Sequence, residues 1–301
     1  MNKYKIISFY KFIDIDSPQS LQDRFYIFCK KSKILGTLII ANEGINGMLA
    51  GQESKIDEIS EKLFELRLDR DDIKISFSEI KPFNRLRIKL KKEIISLGSP
   101  EKSNPNKLVG KHVEPKDWNQ LLDKKDVILV DTRNCFETSI GTFDGALVPN
   151  INTFKEFPGF LKTLEGQKEK KIAMFCTGGI RCEKVTSYML EVGFKKVFHL
   201  KGGIVKYLET VPESESKWEG ECFVFDNRVT VEQGMKAGTY VTCNACGEPL
   251  NNKDMDSPKF NKGISCPQCY DKLTKKQIVK VTERQKQVEL AKKRGGIHVG
   301  E

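Results

Sequence analysis

The apolar run Lys171-Ile172-Ala173-Met174-Phe175 ends in a cysteine, and the chain continues Cys176-Thr177-Gly178-Gly179-Ile180-Arg181-Cys182 before an amphipathic segment from Glu183 to Val192. A short uninterrupted apolar run reads as a strand buried on both faces, and helical periodicity behind it reads as a helix. The chain must therefore pass from strand to helix across Cys176 to Arg181. Gly178 and Gly179 permit the positive φ that such a turn takes. Cys176 then lies against backbone N–H groups, the positive end of a helix and the guanidinium of Arg181. All three favour an anionic sulfur and predict a thiol pKa below the free value of about 8.5. A buried packing cysteine is the plainer alternative, but it requires neither two glycines nor an arginine. The spacing C-x4-R is one residue shorter than the C-x5-R loop with which cysteine phosphatases wrap phosphate, and it suits a terminal sulfur or a smaller group. Cys182, one helical turn on, is placed either to pack in the core or to resolve an oxidised Cys176.

At 301 residues the chain exceeds one average domain, so two or three compact units are expected. A hydrophobic share of 39% supports real cores, and a charged share of 31% a well-solvated surface. No apolar run reaches the roughly 18 residues of a transmembrane helix. Met1-Asn2-Lys3-Tyr4-Lys5 leads into a strand rather than into a signal segment, so a cytoplasmic protein without a membrane partner is expected. In a reducing compartment, nine cysteines point to metal binding and to redox or sulfur chemistry rather than to disulfides.

Pattern and punctuation divide the chain into three. Residues 1–97 read as strand Tyr4 to Tyr10, helix Pro18 to Lys31, strand Leu35 to Ala41, a turn at Asn42 to Asn46, strand Gly47 to Gly51, helix Ser54 to Leu66 and strand Ile73 to Glu79. That βαββαβ order is a ferredoxin-like or acylphosphatase-like α/β sandwich. A further basic strand, Leu86 to Ile95, extends the sheet or leaves it, and Asn42 to Gly47 is either an anion-binding loop or a plain turn. A polar linker, Gly98 to Asn106, precedes residues 107–212, where strands alternate with helical patterns as in a parallel α/β domain. Its reactive loop is expected at the carboxyl end of a central strand. The acidic stretch Glu209 to Glu219 marks the exit into residues 213–301.

This third segment carries Cys243-Asn244-Ala245-Cys246 and, after nineteen intervening residues, Cys266-Pro267-Gln268-Cys269. Two C-x2-C knuckles supply four thiolates for a tetrahedral, closed, structural Zn²⁺ site. An iron–sulfur cluster takes the same ligand number and is the alternative. So few apolar residues separate the pairs that metal binding is expected to fold the segment. No flavin, haem or non-haem iron pattern accompanies it: the three histidines, His112, His199 and His298, have no paired spacing.

The formal net charge is +10. Arg85, Arg87, Lys89, Lys91 and Lys92 largely alternate with apolar residues, which places cations on one face of a strand, and the tail from Lys272 to Arg294 is basic as well. Such clusters fit phosphate contacts on a nucleic acid, a solvated basic surface being the bland reading.

The loop has company. Val127-Ile128-Leu129-Val130-Asp131-Thr132-Arg133, Glu137 and Gly141-Thr142-Phe143-Asp144-Gly145-Ala146 precede it, and Val197-Phe198-His199-Leu200-Lys201-Gly202-Gly203-Ile204 follow it. In this order they resemble the D-x-R, E, G-x-x-x-G-A and G-G-I segments of the rhodanese family. Thr177 stands where an arginine is often found in that family and Phe143 where a histidine is common; these departures bear on donor specificity rather than on fold. Asp131 and Arg133 fall at a neighbouring strand end, where Arg133 either helps bind an anion or forms a structural salt bridge with Glu137.

With a βαββαβ domain before it and a four-cysteine segment and basic tail behind it, nearly the whole chain resembles the rhodanese-domain tRNA uridine(34) hydroxylase family. The resemblance implies oxygen-dependent C5 hydroxylation of the wobble uridine in the tRNA anticodon, with the loop cysteine essential. Cys176 and Arg181 are then the expected catalytic residues, with Thr177, Gly178, Gly179 and Ile180 forming the loop. The alternatives are a sulfurtransferase passing persulfide sulfur from Cys176 to a small acceptor or to RNA, and a non-catalytic RNA-binding module.

Overall fold

The computed structural model describes residues 4–295; His298 lies outside them. Among the described residues, those up to Phe223 together with Glu232–Lys236 form one compact unit, and Val224–Val231 with the residues from Ala237 onward form another.

The first unit opens with β1 (Tyr4–Phe12), α1 (Pro18–Lys31), β2 (Leu35–Ala41), β3 (Gly44–Gly51), α2 (Glu53–Phe64), β4 (Ile73–Ser78) and β5 (Leu86–Leu90). They build one sheet in the order β4-β1-β3-β2-β5, antiparallel except where β5 runs parallel to β2. Period-two alternation turns Ile7, Phe9, Leu38, Ile40 and Leu49 toward the helices. Leu21, Phe25 and Cys29 of α1 and Ile56, Ile59 and Leu63 of α2, at helical spacing, close the layer. Each such buried aliphatic contributes about 1.5–3 kcal/mol of transfer free energy. Gly36 holds φ +127, and a Cβ there would stand 2.1 Å from Met48 O, so β2 and β3 approach closely only with glycine.

Three boundaries differ from the sequence pattern. The β2–β3 hairpin closes over Asn42-Glu43 alone, with Ala41 facing Gly44, so β3 begins before Gly47 and no anion-binding loop forms. The basic strand stops at Leu90 instead of Ile95 because Glu93 turns inward and accepts the N–H groups of Leu97 and Gly98. The helix behind Cys176 starts at Ile180, ahead of Glu183.

The parallel layer consists of β6 (Lys111–Val113), α3 (Pro115–Leu122), β7 (Val127–Asp131), α4 (Cys135–Thr138), β8 (Gly141–Phe143), α5 (Phe157–Leu161), β9 (Lys171–Phe175), α6 (Ile180–Glu191), β10 (Lys196–Leu200) and α7 (Gly203–Thr210). Its strand order is β6-β10-β9-β7, every pairing parallel. Ile172, Ala173, Met174 and Phe175 are fully buried, as an interior strand covered on both faces requires. After the acidic stretch the chain returns as β11 (Trp218–Gly220), antiparallel to β8, and β12 (Cys222–Phe223) follows.

One polar cluster fastens the two layers. Lys184 of α6 is fully buried, and its Nζ lies 2.6 Å from Glu43 Oε2 and 2.7 Å from Glu93 Oε2. Glu43 also accepts the Ile94 N–H at 2.7 Å. The two buried charges, Lys184 and Glu93, are tolerated because they pair with each other and with the half-buried Glu43. As a result the helix that begins at the reactive loop is fixed to the first sheet.

The second unit contains β13 (Thr230–Val231), β14 (Val241–Thr242), β15 (Pro249–Leu250), α8 (Asn252–Met255) and α9 (Lys275–Lys293). α9 starts on a capping box between Thr274 and Gln277, and only Val281 and Val288 of its nineteen residues are buried.

Candidate active site and metal centre

Cys176 caps β9, with its side chain 1% exposed. Gly179 takes φ +103 and donates its N–H to Cys176 Sγ at 3.1 Å. The N–H groups of Ile204 and Val205, at the start of α7, hold the carbonyls of Cys176 and Thr177 at 3.0 and 3.1 Å. These bonds face the loop carbonyls outward and leave amide donors near the sulfur. Gly203 makes the approach possible: a Cβ there would meet Cys176 O at 2.5 Å and Thr177 O at 2.6 Å.

Burial works against a Cys176 thiolate, but the Cys182 thiol as donor, the charge of Arg181 and the N–H groups of Cys182 and Gly179 outweigh it, so its pKa lies well below the ordinary value. Cys182, itself buried, moves the opposite way: desolvation and the neighbouring Cys176 keep it protonated. Its sulfur also lies 3.5 Å from Thr132 Oγ1. The pair thus holds its proton on Cys182 and leaves Cys176 anionic. Cys182 packs in the core and is at the same time a donor to the Cys176 sulfur.

Arg181 does not point at the sulfur. Nη1 and Nη2 each lie 2.6 Å from a carboxylate oxygen of Glu137, and Nη2 lies 3.5 Å from Thr177 Oγ1. Burial opposes the charge of Arg181 and Glu137 overrides it, so the guanidinium stays protonated and acts on Cys176 at a distance. Glu137 is buried too and is held ionised against that burial by Arg181. Arg133 is also completely buried. Its guanidinium is bidentate to Asp131, at 2.9 Å from Oδ1 and 2.7 Å from Oδ2, and it donates to Gly141 O at 2.6 Å. Its partner is therefore Asp131, two residues away, in place of the expected Glu137. Thr177 joins the network at 3.3 Å from Glu137 Oε1.

Removing one partner of the Arg181–Glu137 pair leaves a buried charge without compensation, which costs about 3–5 kcal/mol. Glu137→Ala is expected to lower the unfolding free energy by that amount, read as a lower urea midpoint at unchanged m value. A loss below about 1 kcal/mol, the range of an exposed pair, would contradict the arrangement.

The first sheet adds residues that no local sequence signal marks. Tyr10 donates to Glu183 Oε1 at 2.8 Å, and its hydroxyl would lie 2.8 Å from a Cβ on Gly179. His112 Nε2 stands 3.3 Å from the same carboxylate oxygen, and its ring packs 4.1 Å from that of His199. His199 is buried and stays neutral, its pKa pushed down to about 4 by burial first and by His112 second. A cavity of about 430 Å³ runs along this wall, lined by Tyr10, Lys74, His112, Glu183 and His199 among others.

The cations Arg85, Arg87, Lys89, Lys91 and Lys92 are all exposed on and just beyond β5, while Leu86 and Ile88 turn toward the core. In the second unit, the Sγ atoms of Cys243, Cys246, Cys266 and Cys269 all lie within 4.8 Å of one another. Three of these cysteines are buried and Cys246 is exposed. Four convergent soft donors with Leu250 as their buried aliphatic neighbour fit a metal ion. No helix among the described residues is long and apolar enough to cross a membrane.

Residues 4–94 match the UPF0176 acylphosphatase-like domain family, and residues 114–210 match the rhodanese-like domain family. Among solved structures, a rhodanese-related protein from Thermoplasma volcanium is 23% identical, covering 34% of this chain and 93% of its own at a TM-score of 0.29. A rhodanese-like domain protein from Staphylococcus aureus is 28% identical over 32% of this chain and 90% of its own, with a TM-score of 0.28. A curated protein of Teredinibacter turnerae named tRNA uridine(34) hydroxylase is 47% identical over 303 residues, spanning 100% of this chain and 94% of that protein. With that match spanning the whole chain, the chain belongs to the tRNA uridine(34) hydroxylase family.

Proposed function

We propose that this protein hydroxylates C5 of the wobble uridine, position 34, in tRNA to give 5-hydroxyuridine, with molecular oxygen as cosubstrate and Cys176 as the reacting thiolate. The observation that carries this reading is the 47% identity over the full chain to a relative of that name. The depressed pKa of Cys176 supports it from the chemical side. A thiolate that adds to C6 of uracil makes C5 electron-rich. C5 takes one oxygen atom of O2, and the other leaves as water with two protons and two electrons from an external two-electron reductant. Loss of the C5 proton then breaks the C6–S bond and returns the thiolate. The Gly179 N–H holds the sulfur in place, the Arg181–Glu137 pair sets the local charge, and Asp131 with Arg133 supports the strand ends beneath the loop.

The uridine must leave the anticodon stack to meet a loop at a strand end, as single-stranded bases do when read by proteins. Arg85, Arg87, Lys89, Lys91 and Lys92 and the basic tail from Lys272 to Arg294 are the phosphate contacts of this reading. Cys243, Cys246, Cys266 and Cys269 would hold Zn²⁺, which when bound supplies a closed structural cross-link and no chemistry at the base. A tRNA substrate places the protein in the cytoplasm.

Nucleoside mass spectrometry of tRNA from a strain lacking this gene and every other source of the modification, with and without the restored gene, tests the reading. Wobble 5-hydroxyuridine and its derivatives are expected only in the restored strain. Their absence there would overturn the hydroxylase reading, appearance of a thiolated nucleoside instead would assign persulfide transfer, and no change in any nucleoside would leave an RNA-binding module.

A further inference from the structure

The peptide between Gly178 and Gly179 is engaged at both ends. Its N–H, on Gly179, donates to Cys176 Sγ at 3.1 Å, and its carbonyl, Gly178 O, accepts from Lys74 Nζ at 2.6 Å. In a planar trans peptide the C=O and N–H point in opposite directions. A cation that grips the carbonyl from outside the loop therefore fixes the aim of the donor inside it, and polarises that donor as well. The grip matters at this peptide above all others in the loop, because a unit flanked by two glycines meets little steric resistance to turning over. Turned over, it would present an oxygen to the sulfur where it now presents a hydrogen.

Lys74 is supplied by β4, 104 residues before the loop, and donates a second 2.6 Å bond to Gly202 O in the turn that precedes α7. It thus joins the two turns that frame Cys176. Its two bonds go to carbonyls, unlike those of Lys184, which lies between Glu43 and Glu93. The charged groups around it are Cys176, Glu183 on α6, and Lys206 and Glu209 on α7. Burial lowers its pKa to about 8, with the Cys176 thiolate pulling the other way and Lys206 adding to the lowering.

We propose that Lys74 is a positioning residue for Cys176: it sets the Gly178–Gly179 peptide so that the Gly179 N–H faces the sulfur, and so makes the first sheet part of the reactive site. The role concerns the thiolate alone and holds whatever the substrate.

Ultraviolet thiolate absorbance against pH, taken on the full-length protein as the difference between each variant and the same variant carrying Cys176→Ser, isolates this thiol. In Lys74→Met its midpoint is expected to rise by about one pH unit, which is about tenfold less thiolate at a fixed pH below both midpoints. Lys74→Arg, whose fork reaches both carbonyls, should return most of the shift. Amide exchange at Gly179, followed by NMR, should accelerate in Lys74→Met. An unchanged midpoint in a folded variant overturns the proposal, and so does a raised midpoint with Gly179 exchange unaltered, since charge alone would then be at work. If the methionine variant fails to fold, Lys74→Thr, a strand former too short to reach either carbonyl, carries the same expectations and the same overturning results.

Discussion

In Cys176→Ser the formation of 5-hydroxyuridine should fall by at least about 10³-fold, the loss expected when a covalent nucleophile is replaced by one that does not ionise. Serine keeps the shape of the side chain and can accept the Gly179 N–H, which now lies 3.1 Å from the sulfur. What it lacks is the anion. The loop is arranged around a charge, with the Cys182 thiol, the Cys182 and Gly179 N–H groups and the Arg181 guanidinium all favouring it. The variant should still bind tRNA with wild-type affinity, and at neutral pH it should melt no higher than the wild type, because the stability tied to the depressed Cys176 pKa goes with the anion. A serine variant that retains a tenth of the activity would remove Cys176 from the chemistry.

The same electrostatics fix the pH dependence. The folded-state pKa of Cys176 is depressed, so its thiolate is fully formed at high pH and is lost as pH falls through that folded value. The acid limb of the wild-type rate profile is therefore expected below the roughly 8.5 of a free thiol. Its contribution to stability has the same sign: present above the unfolded pKa and lost toward acid. Cys182, raised in the folded state, contributes in the opposite direction, its share present below the unfolded pKa and lost as pH rises through the folded one.

What could be read from the sequence was what local chemistry fixes. A buried strand, two glycines and a helix follow one another along the chain, so the turn at Cys176 and its amide donors were legible; so were the two C-x2-C knuckles and the βαββαβ order. The partners of the arginines were not. Asp131 and Arg133 share a side of an extended segment and pair bidentately, a contact whose i, i+2 spacing is visible once a strand end is assumed. Glu137 reaches Arg181 across 44 residues, and only the folded sheet brings them together. Lys74 and Tyr10 belong to another layer altogether, and their alternation along β4 and β1 says which face they take but not what lies opposite. The basic strand stopped early for a similar reason: the pull of Lys184 on Glu93 is a long-range term that strand propensity does not contain.

Exhaustive chelation should unfold the four-cysteine segment while leaving the Cys176 loop ordered. The buried core around the four sulfurs consists of Cys243, Cys266, Cys269 and Leu250, with Ala245, Met255, Phe260 and Leu273 only partly buried against it. Ordering each residue costs on the order of 1–2 kcal/mol of backbone entropy, and one buried leucine returns about 1.5–3 kcal/mol. Apolar burial cannot hold the segment alone. Four thiolates bound to one ion can, since structural zinc contributes apparent free energies of about 10–16 kcal/mol at neutral pH in isolated modules. Elemental analysis should find one zinc per chain, and a visible absorption band would mark an iron–sulfur cluster in its place. Hydrogen exchange should then show protection lost from Val241 to Leu273 on chelation and in Cys266→Ser, with β9 and α6 as protected as before. The two elements serve as an internal standard because their core, with Ile172, Met174, Val185 and Met189, contains none of the four clustered cysteines. Protection that survives metal removal would mean that hairpin and turn bonds such as Cys243 N–H to Glu248 O, at 2.8 Å, suffice, and the cysteines would then need another purpose.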